Sequence, residues 1–142
     1  MGTQKFDGLE KRRYSELRSQ VQTGDLLFAQ GHYWISKAIM SASDSVVSHV
    51  GFIYWLEGRL TLVESVEGAG VRLIPLSKYL RNYGNTGQPY NGRLFLARLD
   101  PGLEAAQTNI IIGKTADLLT NPFSVYQFLK IWLRWYFRLG KD

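Results

Sequence analysis

A histidine and a glutamate in this sequence are placed so that one could orient the other. His49 lies in the apolar run VSHVGFIYWL, and Glu64 lies in the alternating run RLTLVESV, with Glu57-Gly58 between the runs. This pattern predicts a β-hairpin, and a two-residue loop pairs Leu56 with Arg59. In that register His49 and Glu64 are diagonal neighbours on one face, about 7 Å apart at the backbone. A carboxylate that orients an imidazole makes the histidine a directed general base.

The surroundings of Glu64 favour such a pair. Leu60, Leu62 and Val66 share its face of the strand, and a carboxylate among apolar side chains is costly to bury without a partner. A four-residue loop preserves the pairing, whereas a three-residue loop shifts it by one residue. A purely structural alternative stays open, in which the histidine is an ordinary core or rim residue and the glutamate lies in water at a sheet edge.

The composition indicates one compact domain with no thiol chemistry of its own. The chain has 142 residues, of which 45% are hydrophobic, and it has no cysteine. These residues therefore provide no disulfide, no thiolate metal ligand and no thiol nucleophile. The net charge of +5 is spread along most of the chain, so nucleic acid is not an expected partner.

The first residues predict no export or lipid signal. MGTQKFDGLEKRR contains no apolar stretch of signal-peptide length, and Phe6 stands where a myristoylation signal has serine or threonine. We therefore expect a cytoplasmic protein, with the membrane periphery as an alternative.

The remaining pattern predicts an α+β fold, a small antiparallel sheet of about five strands with packed helices. We expect a single domain over residues 1–142, with a peripheral amphipathic helix within residues 1–22 and the core in residues 23–142. Ser77 is the expected N-cap of a short helix. Beyond the hairpin, the predicted strands are 26–29, 71–74 and 93–99, the helices are 33–40, 77–80 and 100–119, and residues 81–92 form a surface loop.

The C-terminal region predicts an aromatic helix with one basic stripe. Asn121-Pro122 is a typical helix start, and the helix is expected to cover residues 122–139. Its apolar residues surround most of its circumference. Such a helix packs against further protein, either more of the same chain or a partner chain, or it lies on a membrane surface. We expect the domain to lack its last helix here.

Several short motifs occur in a distinctive order: GDLLF at 24–28, SHVG at 48–51, VES at 63–65, GVR at 70–72 and PLSKYL at 75–80. In this order and spacing they resemble the circularly permuted papain-like hydrolases, which are related to NlpC-type cell-wall endopeptidases and to lecithin retinol acyltransferase. The resemblance covers residues 23–139. It implies a thiolate that attacks an amide or ester carbonyl through an acyl-enzyme, peptide or lipid acyl substrates, and no cofactor.

The resemblance also assigns roles to individual residues. His49 matches the general base, and Glu64 matches the residue that holds its imidazole. The family's cysteine follows a helix for which Asn121-Pro122-Phe123 is the candidate start, and no residue here matches it. As it stands, the chain is expected to be inactive.

Three explanations for the unmatched nucleophile stay open. The chain is part of a longer enzyme, or it is a relative that has lost catalysis or takes its nucleophile from another chain, or Ser124 in the first turn of the last helix replaces the cysteine. The alternative function is a non-catalytic module that binds a peptide, a lipid headgroup or a membrane surface.

Further candidates stand near the predicted pair. His32, Tyr33 and Arg72 are candidate residues of a substrate cleft. A zinc site of His32, His49 and Glu64 lacks the spacing of known local zinc motifs, so no metal is expected. Asp25, which follows Gly24, is expected to be a turn or cap residue rather than an acid catalyst.

Overall fold

The structure is a computed structural model that describes Phe6 and residues 8–122 of the chain. Within this part there are five strands: β1 (Leu26–Gln30), β2 (His49–Leu56), β3 (Arg59–Val66), β4 (Gly70–Pro75) and β5 (Arg93–Ala97). The helices are α1 (Tyr14–Leu17), α2 (Trp34–Ser43), α3 (Leu76–Arg81) and α4 (Ala105–Leu118), and a 3-10 turn spans Tyr83–Asn85. The strands form one antiparallel sheet in the order β4-β3-β2-β1-β5. The predicted α+β class with five antiparallel strands is confirmed.

The β2–β3 hairpin has the predicted register. Leu56 pairs with Arg59, and Phe52 pairs with Val63. Both loop residues have positive φ, 44° at Glu57 and 74° at Gly58. Two consecutive positive φ values are what a type I′ turn requires, and the twist of such a turn matches that of the flanking strands.

The hydrophobic core lies on one face of the sheet. Successive strand residues point to opposite faces, so Leu60, Leu62 and Glu64 of β3 point to the same side as Ile53 of β2. Helix α3 packs on this face against β3 and β4. The buried core residues are Val21, Leu27, Ile53, Leu60, Leu62, Leu76 and Tyr79. The face that carries Glu64 is therefore the buried one.

The predicted N-terminal helix is wrong in its extent. Within the described residues it is helical only at Tyr14–Leu17, and Leu9 on the predicted apolar stripe is 59% exposed. Val21 is buried in the core, and its carbonyl accepts a hydrogen bond from Trp55 Nε1 at 2.8 Å. The apolar residues of the segment instead make separate contacts, Phe6 with Phe95 and both Tyr14 and Val21 with the core.

Three element boundaries differ from the prediction for local reasons. Helix α3 begins at Leu76 after Pro75, so Ser77 is not its N-cap. Strand β5 ends at Ala97, and the side chain of the next residue, Arg98, donates a hydrogen bond to Asp25, which stands opposite it just before β1. Helix α4 begins at Ala105 rather than at residue 100, after the turn-forming residues Asp100-Pro101-Gly102.

The chain after α4 returns to the outer edge of β4. Thr120 N donates to Val71 O at 2.9 Å, and Val71 N donates to Asn121 O at 3.0 Å. Gly70 has a φ of 67°, and a Cβ there would collide with the carbonyl of Asn121, so only glycine permits this approach. Gly70 pairs with Val66, which the hairpin register places opposite His49. The segment that leads into residue 122 therefore meets the sheet at the row of His49.

The predicted helix over residues 122–139, with its aromatic face and Ser124, falls outside the described residues. In the part of the chain that is described, no helix is both long and apolar enough to cross a bilayer.

Candidate active site

The predicted pair, His49 and Glu64, is in contact, and a third residue, Arg72, also binds Glu64. His49 Nε2 lies 2.7 Å from Glu64 Oε2. Arg72 donates to the other carboxylate oxygen, Oε1, from Nε at 2.9 Å and from Nη2 at 2.6 Å. The Glu64 side chain is 0% exposed, whereas those of His49 and Arg72 are each 26% exposed. One buried carboxylate thus links an accessible imidazole to an accessible guanidinium.

The sheet register brings these three side chains together. Arg72 of β4 is the direct cross-strand partner of Glu64, while His49 is its diagonal neighbour on β2. The hairpin register places Gly51 opposite Glu64 on β2, so no side chain stands between Glu64 and His49. A Cβ at Gly51 would lie 2.6 Å from Leu62 Cδ1, which shows how little space this position has.

The contacts determine which nitrogen of His49 can accept a proton. An ionised carboxylate only accepts hydrogen bonds, so the Nε2 of a neutral imidazole donates to Glu64. The lone pair is then on Nδ1, which is not bonded to Glu64. The hydrogen-bond network therefore assigns the proton of the neutral ring to Nε2. A proton on an attacking group would therefore be taken by Nδ1.

Burying the Glu64 charge is possible because both oxygens are paired. An unpaired carboxylate in the core is costly, but the two hydrogen bonds from Arg72 and the one from His49 compensate for lost hydration. No buried side-chain nitrogen or oxygen in the described residues lacks a hydrogen-bond partner. The site therefore holds its charges in a fixed arrangement.

Three tyrosines pack together beside this carboxylate. The ring centroids of Tyr79, Tyr83 and Tyr90 are 4.8 to 5.1 Å apart. Burial and the nearby Glu64 charge raise the pKa of Tyr79 and of Tyr83 above the ordinary tyrosine value. Burial, with smaller effects from Tyr83 and Glu64, raises the pKa of Tyr90 to about 12. All three hydroxyl groups stay protonated at neutral pH and can donate hydrogen bonds.

The three predicted cleft residues, His32, Tyr33 and Arg72, differ in their contacts with the site. Arg72 is part of the site itself. Tyr33 is 69% exposed. Burial is the main cause that raises the pKa of Tyr83 and of Tyr90, and the nearby Tyr33 is the smallest of the causes that raise them. His32 is exposed and makes no hydrogen bond or ion pair with another described residue. Tyr33 thus lies near the tyrosines beside the site, and His32 makes no hydrogen bond to His49, Glu64 or Arg72.

Asp25 is a structural residue. It is 1% exposed, accepts a hydrogen bond from Gln22 N at 2.8 Å, and is paired with Arg98 through Nε and Nη2 at 2.7 and 2.8 Å. Burial raises its pKa, but the hydrogen bonds from Arg98 and Gln22 outweigh burial, so the net pKa lies below the ordinary value. This agrees with the expected turn or cap role.

Two features of the site were not predicted from the sequence. The first is the ion pair of Arg72 with Glu64. It depends on the register between β3 and β4, which could not be predicted from the glycine-rich turn that joins them. Tyr79, Tyr83 and Tyr90 are three tyrosines within twelve residues, and two of them fall in a segment otherwise polar enough to resemble a surface loop. The closeness of the three tyrosines in the sequence was the one feature that could have indicated the cluster.

The described residues contain no group of three or more histidine, aspartate and glutamate side chains that would hold a metal ion. His49 and Glu64 bond each other, and the third partner of Glu64 is a cation.

Comparisons with known proteins identify the family and the fold. No curated protein matches the chain. Among solved structures, it is similar to the metalloprotein YiiX from Escherichia coli O157:H7, with 27% identity and a TM-score of 0.60. The match covers 74% of this chain and 54% of that chain, so this chain spans about half the length of YiiX.

Residues 20–128 match the family described as permuted papain-like amidase enzymes, YaeF/YiiX, family C92. The permuted papain-like fold predicted from the motifs is thereby confirmed. Since the match covers most of the sequence, the chain belongs to the permuted papain-like amidase family.

Proposed function

We propose that this chain provides the base half of a cysteine amidase site, with His49 as general base and Glu64 as the residue that orients it. The observation that carries the proposal is the 2.7 Å contact of His49 Nε2 with a fully buried carboxylate. Arg72 holds that carboxylate from the opposite side. An ordinary surface histidine does not require a buried carboxylate that is also held by an arginine. With Nε2 bonded to Glu64, Nδ1 is the nitrogen that can accept a proton.

The thiol in this proposal comes from outside the 142 residues, because the sequence has no cysteine. It is supplied by further sequence of the same protein or by another chain. The 142 residues alone are then expected not to hydrolyse an amide. Ser124 is a weaker candidate, because a serine in the first turn of a helix more often serves helix capping.

The reaction uses His49 twice. Nδ1 takes the thiol proton, and the thiolate sulfur forms a bond to the carbonyl carbon, whose oxygen becomes negative. As the tetrahedral intermediate collapses, the C–N bond breaks and the imidazolium returns the proton to the departing amine. Water then attacks the thioester, giving its proton to His49, and the acid is released as the thiol is restored. The Glu64 charge stabilises the imidazolium in both halves.

The test uses the product of the complete reading frame from the natural locus. Hydrolysis of a fluorogenic peptide amide is measured for the wild type, His49→Ala, Glu64→Gln and the control Glu67→Gln, which changes an exposed glutamate just beyond the same hairpin. We expect His49→Ala to lower kcat/KM by about a thousandfold, as loss of a general base does. Glu64→Gln should lower kcat/KM by about tenfold or more, and Glu67→Gln should have little effect. Activity that survives in His49→Ala contradicts the role of His49 as the base, whereas a wild type that does not hydrolyse the amide favours the non-catalytic binding module.

A further inference from the structure

A small pocket opens between β4, α3 and the 3-10 turn. Its volume is about 50 Å³, which is room for about three or four water molecules. The polar side chains that line it are those of Arg72, Lys78, Tyr79, Asn82, Tyr83 and Asn85.

The lining of the pocket presents donors and positive charge. Arg72 and Lys78 are cationic, and none of the lining residues is an aspartate or glutamate. Arg72 bonds Glu64 through Nε and Nη2, and its Nη1 makes no hydrogen bond with a described residue. Tyr83 is a protonated phenol at neutral pH, since burial and Glu64 raise its pKa. An anion in this pocket would therefore meet several donors.

Arg72 also connects the pocket to the candidate active site. The same guanidinium that holds Glu64 Oε1 lines the pocket, and Glu64 Oε2 bonds His49. A group bound beside Arg72 is thus connected to His49 through the Glu64 carboxylate alone.

We propose that this pocket is an anion subsite, which binds a carboxylate or phosphate group of the substrate through Arg72 and Lys78. The substrate assignment rests on the proposed amidase function, whereas the binding of an anion does not. The subsite would restrict the enzyme to amides that carry a negative charge near the scissile bond.

The test is an NMR titration of the 142-residue chain with inorganic phosphate and, separately, with acetate, at constant ionic strength balanced by chloride. The amide signals of Asn82, Gly84 and Asn85 report the pocket. The variant Lys78→Gln removes a lining cation. Arg81→Gln is the matched control, because Arg81 is an exposed basic residue of the same helix that does not line the pocket.

We expect saturable shifts at these three amides, with a dissociation constant that rises about tenfold in Lys78→Gln and less than about twofold in Arg81→Gln. The anion that saturates at the lower concentration identifies a phosphate or a carboxylate ligand. Shifts that do not saturate, or equal weakening by both variants, would overturn the subsite, since general charge attraction would then explain them.

The two proposals fail separately. The titration requires no thiol and no catalysis, so a failed titration removes the subsite and leaves the amidase proposal intact. Full activity in His49→Ala removes His49 as the base, while saturable binding at the pocket would still stand.

Discussion

Glu64 is the residue on which the site depends, because its two oxygens serve different partners. Oε2 is hydrogen-bonded to His49 Nε2, and Oε1 accepts both hydrogen bonds from Arg72. The first contact was predictable from sequence, since strand alternation and a two-residue loop determine which side chains share a face. The second was not, because the EGAG turn permits more than one register between β3 and β4.

The tautomer of His49 is a direct prediction at this scale. In the neutral ring the proton is expected on Nε2, and Glu64→Ala should produce a mixture of tautomers because the acceptor is gone. Long-range ¹H–¹⁵N spectra distinguish the two nitrogens. The sequence has only one other histidine, the exposed His32, and it serves as an internal reference. An unchanged tautomer of His49 in Glu64→Ala would contradict the assigned role of Glu64.

Arg72 should contribute strongly to stability. Arg72→Met leaves the buried Glu64 charge without its cation, which is expected to cost about 3 kcal/mol in the free energy of unfolding, measured by urea denaturation. The double variant Arg72→Met/Glu64→Gln should recover part of that loss, since the charge is also removed. The control Arg81→Met changes an exposed arginine and should stay within about 0.5 kcal/mol. Equal effects of the two arginine variants would show that the Arg72 pair does not support the fold.

At the scale of elements, the sequence predicted the hairpin correctly, but it did not predict the residues at which the helices begin and end. Glu57-Gly58 between two apolar runs specifies a tight turn by local conformational preference. The N-terminal segment has helical spacing as well, but Leu9 finds no surface to cover and the helix is limited to four residues. Amphipathic spacing predicts a helix only where an apolar partner is available.

The Asp25–Arg98 pair connects the start of β1 to the segment after β5, and it predicts a pH dependence of stability. The pKa of Asp25 is lowered in the folded state, because bonds from Arg98 and Gln22 outweigh burial. Its stabilising effect is therefore complete above the unfolded value of about 3.9 and is lost as the pH falls through the folded pKa.

Asp25→Asn should lower the free energy of unfolding by about 1 to 3 kcal/mol at pH 7, and the difference from wild type should narrow below about pH 4. Urea denaturation at pH 7, 5 and 3 measures both effects. The control is Asp117→Asn, at an exposed position of α4. A difference that is independent of pH would contradict the role of the Asp25 charge.

For the whole molecule, the fold class could be predicted because five segments of strand character are separated by clear turn residues. The motif order then indicated the permuted papain-like arrangement, which the family match confirms. The tyrosine cluster could not be predicted, since Tyr83 and Tyr90 are brought to Tyr79 by a loop whose path depends on the core. The pocket beside Arg72 arises from the same loop.

Large apolar side chains remain exposed on several elements of the described structure. Trp34 is 79% exposed and Ile110 is 59% exposed, and α2 has no buried residue. The aromatic residues predicted in the helix over residues 122–139 fall outside the described part, so their contact with a partner chain or a membrane surface stays a prediction.

The central claim is that His49, held by Glu64, activates a thiol that these 142 residues do not contain. The most direct measurement is the intact mass of the product from the natural locus, taken during reaction with iodoacetamide at neutral pH. We predict a product with a cysteine that is alkylated faster than free cysteine, and a rate that falls about tenfold or more in His49→Ala. A product without cysteine, or a rate that is the same in both proteins, would contradict the account.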